Sequence, residues 1–476
     1  MRKYRNILFY VLVTASLLLV MYKIAHAGKL LETSKIASND EAKSFSFSHL
    51  LSEHFSYTLS GSLPALLLQI IAIIFTARAF GFLSRKIGQP AVIGEIAAGI
   101  FLGPSVLGLI FPSWNGFLFS QNSLGNLQLF SQLGLILFMF VVGMEADLKI
   151  LKSKAANAII ISHASIIVPY TLGMGLAYFL YKKYAAGNTD FLSFSLFIGI
   201  AMSITAFPVL ARIIKERNMS NTRIGNLAIT CAAADDITAW CILAAVISIA
   251  KASSSLIAIF TIGLACLYVV CMFTIIRPFL QKLNRKYFDK ENLGVNMLAL
   301  MIGVLLISAF ITEMIGIHAL FGAFLAGTIM PSTANFRKLL IERTEYISIT
   351  LLLPLFFAFS GLRTEIGLLN TMSEWIVCGV ILIVAIAGKF GGSMLAARFV
   401  GESWNDSIII GALINTRGLM ELVVLNIGYD SGIISSEIFT MMVIMALATT
   451  CMTGPVLNLM KRNAEHRKIN LSGQNS

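Results

Sequence analysis

The sequence predicts an all-α polytopic membrane protein. It would have thirteen transmembrane helices, plus an N-terminal signal peptide or extra helix, in two inverted six-helix repeats with two broken, crossing helices. Three observations predict the helical membrane class. The 476 residues are 57% hydrophobic and only 13% charged, with a mean hydropathy of +0.82, whereas a soluble domain is about one-quarter charged. The apolar runs approach or exceed the roughly twenty residues that cross a hydrocarbon core as a helix. They lack the alternation over about ten residues of an outer-membrane strand. Finally, a few charged residues lie inside these runs, where lipid makes them costly.

The chain starts with Met1-Arg2-Lys3-Tyr4-Arg5, then an apolar run from Ile7 to Met21, then Ala25-His26-Ala27. These are the marks of a signal peptide, and an uncleaved first helix fits residues 1–27 as well. Residues 28–62 are polar and predict an extracytoplasmic linker. Thirteen apolar spans come next, at 63–83, 91–111, 124–143, 157–181, 190–214, 223–250, 254–276, 293–314, 316–331, 347–363, 374–397, 404–428 and 434–458. Residues 461–476 predict a short tail.

The net charge of +12 would suggest nucleic acid in a soluble chain. Here it sorts by side. If residues 84–90 lie inside and the spans alternate, the inside segments hold 22 basic residues, including Arg85, Lys152, Arg217, Arg285, Lys338 and Arg462. The outside loops after residue 62 hold four, Lys182, Lys183, Lys251 and Arg363. The positive-inside rule then predicts the cytoplasmic (inner) membrane and a cytoplasmic C-terminus. No nucleic acid is needed to explain the charge. The six cysteines form no C-x-x-C pair and read as small buried hydrophobes.

Thirteen spans divide into six (63–250), a linking helix (254–276) and six more (293–458). Seven helices separate equivalent positions, an odd number, so the second half would be inverted, a secondary-transporter design.

The polar residues inside the spans carry the chemistry. Asp235-Asp236 lie mid-span in Ala232-Ala233-Ala234-Asp235-Asp236-Ile237-Thr238-Ala239-Trp240. Neighbours on a helix point about 100° apart, so one carboxylate can face a cation while the other faces a protein partner. Two close carboxylates also repel when both are charged, which favours taking up a proton. Lys389 stands in the middle of its span, in Gly388-Lys389-Phe390-Gly391-Gly392, too deep to snorkel comfortably. It is expected to pair with Asp235 or Asp236.

Two spans are interrupted. Pro208 in Ser203-Ile204-Thr205-Ala206-Phe207-Pro208 removes an N–H. That leaves a carbonyl near Ile204 and the hydroxyls of Ser203 and Thr205 as candidate cation ligands. Asn415-Thr416-Arg417-Gly418 breaks the twelfth span, the counterpart of the fifth. Corresponding broken helices point to a transport site. Arg417 and Glu421 are four apart and read as a supporting pair. Glu95 could cap a helix, pair with Arg78 or line an entrance. Glu313 and His318 flank a break and read as structural or pH-sensing. His163 reads as a helix-packing histidine and Gly99-x-x-x-Gly103 as a helix-packing motif.

Four motifs in this order resemble the monovalent cation/proton antiporters of the second cation–proton antiporter family. They are Ile204–Arg212, Asp235-Asp236 with Ala239-Trp240, Gly316–Gly327, and Asn415–Leu422. The resemblance covers about residues 63–460. It implies a homodimer, with a dimerisation part (63–143 and 293–363) and a core transport part (157–250 and 374–458) that moves like an elevator. It implies that Asp236 binds cation and proton in competition, and that Asp235 pairs with Lys389. The Asp before the essential Asp, with Lys389 kept, resembles electrogenic members.

The Asp pair favours sodium, while the Asn415–Asn426 stretch also resembles potassium/proton exchangers. The only ligands implied are the transported cation and protons, with no cofactor. The nucleotide-binding C-terminal domain of glutathione-gated members is not expected. Other functions fit the sequence less well. A cation channel would want a carbonyl filter or charged ring, and no TVGYG-like segment occurs. An electroneutral potassium/proton exchanger remains an alternative. An intramembrane enzyme finds no H-E-x-x-H or G-x-S-x-G, so the chain is not expected to be an enzyme.

Overall fold

Apolar runs in hydrocarbon must satisfy their own backbone N–H and C=O groups, and helices do so. The computed structural model describes residues 61–473 apart from 146–154, 188, 220–221, 252–254, 288–293 and 332–333, together with residues 19, 21 and 23. The chain divides into units 1–61 and 62–476. The expectations for residues 1–27 and for the linker 28–62 fall almost wholly outside the described residues.

Two short helices, Leu107–Ile110 and Pro112–Leu118, aside, the helices of the second unit begin with α1 (Ser62–Lys86), α2 (Ala91–Leu102), α3 (Gln121–Glu145), α4 (Ala155–Tyr184), α5 (Phe191–Ser203), α6 (Phe207–Glu216) and α7 (Arg223–Lys251). Then come α8 (Ser255–Cys271), running on through a π turn to Tyr287, α9 (Val295–Ile315), α10 (Ala319–Thr328), α11 (Ala334–Ile347) and α12 (Leu353–Leu362). The last are α13 (Met372–Ile386), α14 (Gly392–Phe399), α15 (Trp404–Ile414), α16 (Leu419–Asp430) and α17 (Ser436–Gly473). Among the described residues, ten helices are long and apolar enough to cross a membrane. Where the sequence predicts spans at 190–214, 316–331 and 404–428, the helices are short: α5, α10 and α15 have 13, 10 and 11 residues. The π turn Ser348–Leu352 joins α11 to α12, so the predicted span 347–363 is the end of a longer rod. The final helix continues to Gly473, well into the predicted tail.

Glycines set the closest crossings. A Cβ on Gly99 would stand 2.1 Å from the Ala358 carbonyl oxygen, and one on Gly361 would stand 2.3 Å from that of Ile96. The backbones of α2 and α12 therefore nearly touch. Helices α1, α2, α3, α9, α10 and α12 pack into one group, the panel, and α4, α5, α7, α14 and α15 into another, the core. Trp240 on α7 stacks on Phe324 of α10, with centroids 6.3 Å apart.

Some sequence expectations change. Cys231 and Cys378 are buried, but Cys241 and Cys266 are exposed on helix faces. His163 is also exposed, its Nδ1 2.8 Å from the Ile159 carbonyl of its own helix. Arg78 donates to the Thr350 carbonyl at 2.8 Å. Glu313 takes the Ala319 amide at 2.7 Å, which closes the start of α10.

Candidate functional site

The site begins with two helices that stop inside the protein. Helix α5 ends at Ser203, Ile204 turns to extended backbone, and α6 starts at Phe207. Helix α15 ends at Ile414, and α16 starts after Gly418. Gly418 has φ +156°, a conformation that favours glycine. A Cβ there would meet Val209 Cγ2 at 3.1 Å. The two breaks touch, because the Ala206 amide donates to the Thr416 carbonyl at 3.0 Å.

A stopped helix leaves its last carbonyls without partners and its C-terminus partly negative. Two cationic side chains meet that end of α5. Arg417 donates to the carbonyls of Ala201 at 3.1 Å and Met202 at 2.6 Å. Lys389 donates to the carbonyl of Ser203. Both cations are fully buried, and Arg417 also pairs with Glu421 at 3.2 Å.

Lys389 rides on the π turn Ala387–Gly391 between α13 and α14. Such turns occur often at functional sites. Gly388 lets this turn lie against Pro169 of α4, where a Cβ would stand 2.8 Å from the proline Cα. Pro169 has no N–H to give the carbonyl four residues back, which belongs to Ser165. Lys389 Nζ fills that vacancy at 3.0 Å.

The two aspartates on α7 differ sharply. Asp235 is fully buried and fully partnered. Ser162 donates to Oδ1 at 2.5 Å, while Ser165 and Thr205 donate to Oδ2 at 2.6 and 2.8 Å. Lys389 Nζ stands 3.3 Å from Oδ2. Asp236 is equally deep, at 3% exposure, yet neither carboxylate oxygen has a hydrogen-bond partner. The start of α6 faces it, and the Phe207 amide interacts with it electrostatically without reaching hydrogen-bond geometry. Leaving a buried carboxylate unpartnered costs several kcal/mol or more. A site that must release its ligand would keep such a group.

Other sequence-predicted residues sit around this pair. The Thr205 hydroxyl is committed to Asp235. The Ser203 hydroxyl turns back to the Gly199 carbonyl at 2.7 Å and that of Ile166 at 3.1 Å. Ser203 therefore presents its carbonyl, not its hydroxyl, to Lys389. Asn415 is fully buried with both amide atoms unpartnered. Thr416 Oγ1 lies 3.3 Å from Thr453 Oγ1. Pro208 lies in the first turn of α6. Ser162, Ser165 and Pro169 belong to the site although the sequence pattern does not single them out. A signal is present: two serines three apart, on one helix face, with a proline one turn later. Among the described residues, no group of three or more His, Cys, Asp or Glu could hold a resident metal.

Residues 71–460 match the family described as sodium/hydrogen exchanger, transmembrane. The Na(+)/H(+) antiporter NhaS4 of Synechocystis sp. is 43% identical over 399 residues, covering 84% of this chain and 97% of that protein. The K(+)/H(+) antiporter 1 of Saccharomyces cerevisiae is 32% identical over 415 residues, covering 85% of this chain and 47% of its own length. The chain likewise spans about half the length of the plant cation/H(+) antiporters it matches. The sodium proton antiporter MjNhaP1 from Methanocaldococcus jannaschii has a similar fold, with a TM-score of 0.58 at 12% identity, over 84% of this chain and 98% of that one. On the extent and identity of these matches, the chain belongs to the sodium/hydrogen exchanger family.

Proposed function

We propose that this multi-pass membrane protein exchanges a monovalent cation for protons at Asp236. The carrying observation is a buried carboxylate with neither oxygen in a hydrogen bond, beside a fully partnered Asp235–Lys389 pair where two broken helices meet. A cation and a proton compete for one carboxylate, so loading one expels the other. Family membership and the names of the relatives support the reading.

The finer steps belong to the same proposal. In the proton-loaded site, Asp236 is protonated and Lys389⁺ pairs with Asp235⁻, so the site is neutral. When the cation binds, Asp236 gives up its proton and Lys389 gives up another. The two carboxylates and one cation then leave one negative charge. Two protons against one cation make the exchange electrogenic. The core helices carry the site past the panel in an elevator movement, within thirteen spans arranged as inverted repeats. Residues 84–90 and the C-terminus face the cytoplasm, as the charge bias predicts. The homodimer rests on the resemblance alone.

The cation is sodium or potassium, since one relative is named for each. Transport in proteoliposomes, with each cation in turn and with the voltage clamped or free, tests the proposal. Saturable proton movement driven by one cation and stimulated by voltage is the expected result. Flux that needs no proton exchange would contradict it.

A further inference from the structure

The panel is tied to α16 at the end where that helix finishes. Arg363, just after α12, reaches across from the panel. Its Nη1 donates to Asp430 Oδ1 at 2.7 Å and to Asn426 Oδ1 at 3.0 Å. Its guanidinium lies over the rings of Phe359 and Tyr429, at 4.4 and 5.4 Å from their centroids. Gln128 on α3 donates to the other Asp430 oxygen at 3.1 Å. Asn426 donates in turn to Ser360 Oγ of α12 at 2.8 Å.

So both oxygens of one α16 carboxylate are held from the panel, one by Gln128 of α3 and one by Arg363 just after α12. Charge-assisted bonds of this kind are roughly twice as strong as neutral ones. The pair is also reachable by water, with Arg363 17% and Asp430 33% exposed, which screens it enough to let go. A small cleft with about 30 Å³ of solvent space opens beside the tie, lined by Gln128, Gln132, His318, Val423, Asn426 and Asp430 among others. At the opposite end of the molecule, Gln89 of the panel donates to the Cys451 carbonyl of α17 at 3.2 Å, a bond between neutral groups.

We propose that Arg363, Asp430 and Gln128 form an outer latch that breaks and remakes in every transport cycle, with Arg363 setting the balance between the closed and open outer cleft. This rests on the exchange reading, in which α16 moves with the core past the panel. Arg363 touches neither cation nor proton site. It is a positioning residue, acting through α16, whose other end begins at the Gly418 break.

The test reads access to the cleft directly. Val423 lines the cleft and is fully buried. Val423→Cys is made in the full-length chain with its six native cysteines replaced. Vesicles with the outer face exposed are treated with a membrane-impermeant maleimide. Arg363→Gln and Asp430→Asn each raise the labelling rate by about fivefold to tenfold, since tenfold corresponds to ~1.4 kcal/mol. The double variant labels faster than either single one but by less than the two effects combined, because the Arg363–Asp430 bond is shared while Arg363–Asn426 and Gln128–Asp430 are not. Arg363→Lys keeps the charge and falls between. The apparent KM for cation offered outside drops, while that for cation offered inside does not. Unchanged labelling in both single variants, or additive effects in the double, would overturn the latch. The same labelling response appears with Asp236→Asn added, so the latch and the transport site are read separately.

Discussion

The Ala206 amide donates to the Thr416 carbonyl at 3.0 Å, so the two helix breaks are bonded to each other. That bond brings the end of α5 within reach of Arg417 and fixes the start of α6 opposite Asp236. The crossing, not either break alone, makes the site.

Lys389 neutralises a carboxylate it cannot abandon cheaply. Lys389→Gln leaves Asp235 buried with three hydroxyls but no counter-charge. Removing one partner of a buried pair costs about 3–5 kcal/mol, so thermal unfolding in detergent shifts down. The double variant Asp235→Asn with Lys389→Gln recovers most of that loss. Lys389→Gln also removes one of two proton carriers, so its remaining exchange no longer responds to membrane voltage.

Arg417 holds the crossing. Arg417→Ala leaves the carbonyls of Ala201 and Met202 and the Glu421 carboxylate without this donor. The loss is again about 3–5 kcal/mol. Arg417→Lys recovers less than about half of it, because a single ammonium cannot reproduce the guanidinium fork. Melting temperatures of the three proteins check this.

Asp190 caps α5 at its entrance, accepting from the Ser193 amide at 3.0 Å. Hydrogen bonding from Ser193 holds its carboxyl below the usual carboxylate range. A folded pKa below the unfolded one contributes stability above the unfolded value, about 3.9. That stability is lost as the pH falls through the folded pKa. Loss of the cap in Asp190→Ala costs at most about 1 kcal/mol at neutral pH, because solvent screens this exposed carboxylate. The gap between the two unfolding curves narrows as the pH drops below about 4.

Much of this fold is legible in the sequence, because lipid writes it in coarse letters. Long apolar runs must be helices, and Pro208 and Asn415–Gly418 interrupt them visibly. What stays hidden depends on which face meets which neighbour. Ser162 and Ser165 look like ordinary membrane-helix serines until packing turns both toward Asp235. The sequence offers Ser203 through its hydroxyl, yet a neighbouring carbonyl claims that hydroxyl and the backbone oxygen meets Lys389. The role of Pro169 requires knowing that another helix brings an ammonium to the carbonyl it frees. Glu313 could be read as structural or pH-sensing. Its bond to the Ala319 amide gives it a capping task.

The central claim is that Asp236 carries the exchange, and Asp236→Asn tests it most directly. The variant removes a buried carboxylate that has no hydrogen-bond partner, so it folds and melts no lower than the parent. In proteoliposomes with an imposed pH gradient, adding sodium or potassium to it should move no more protons than in protein-free vesicles. Proton movement equal to that of the parent, from protein equally well folded, would contradict the account.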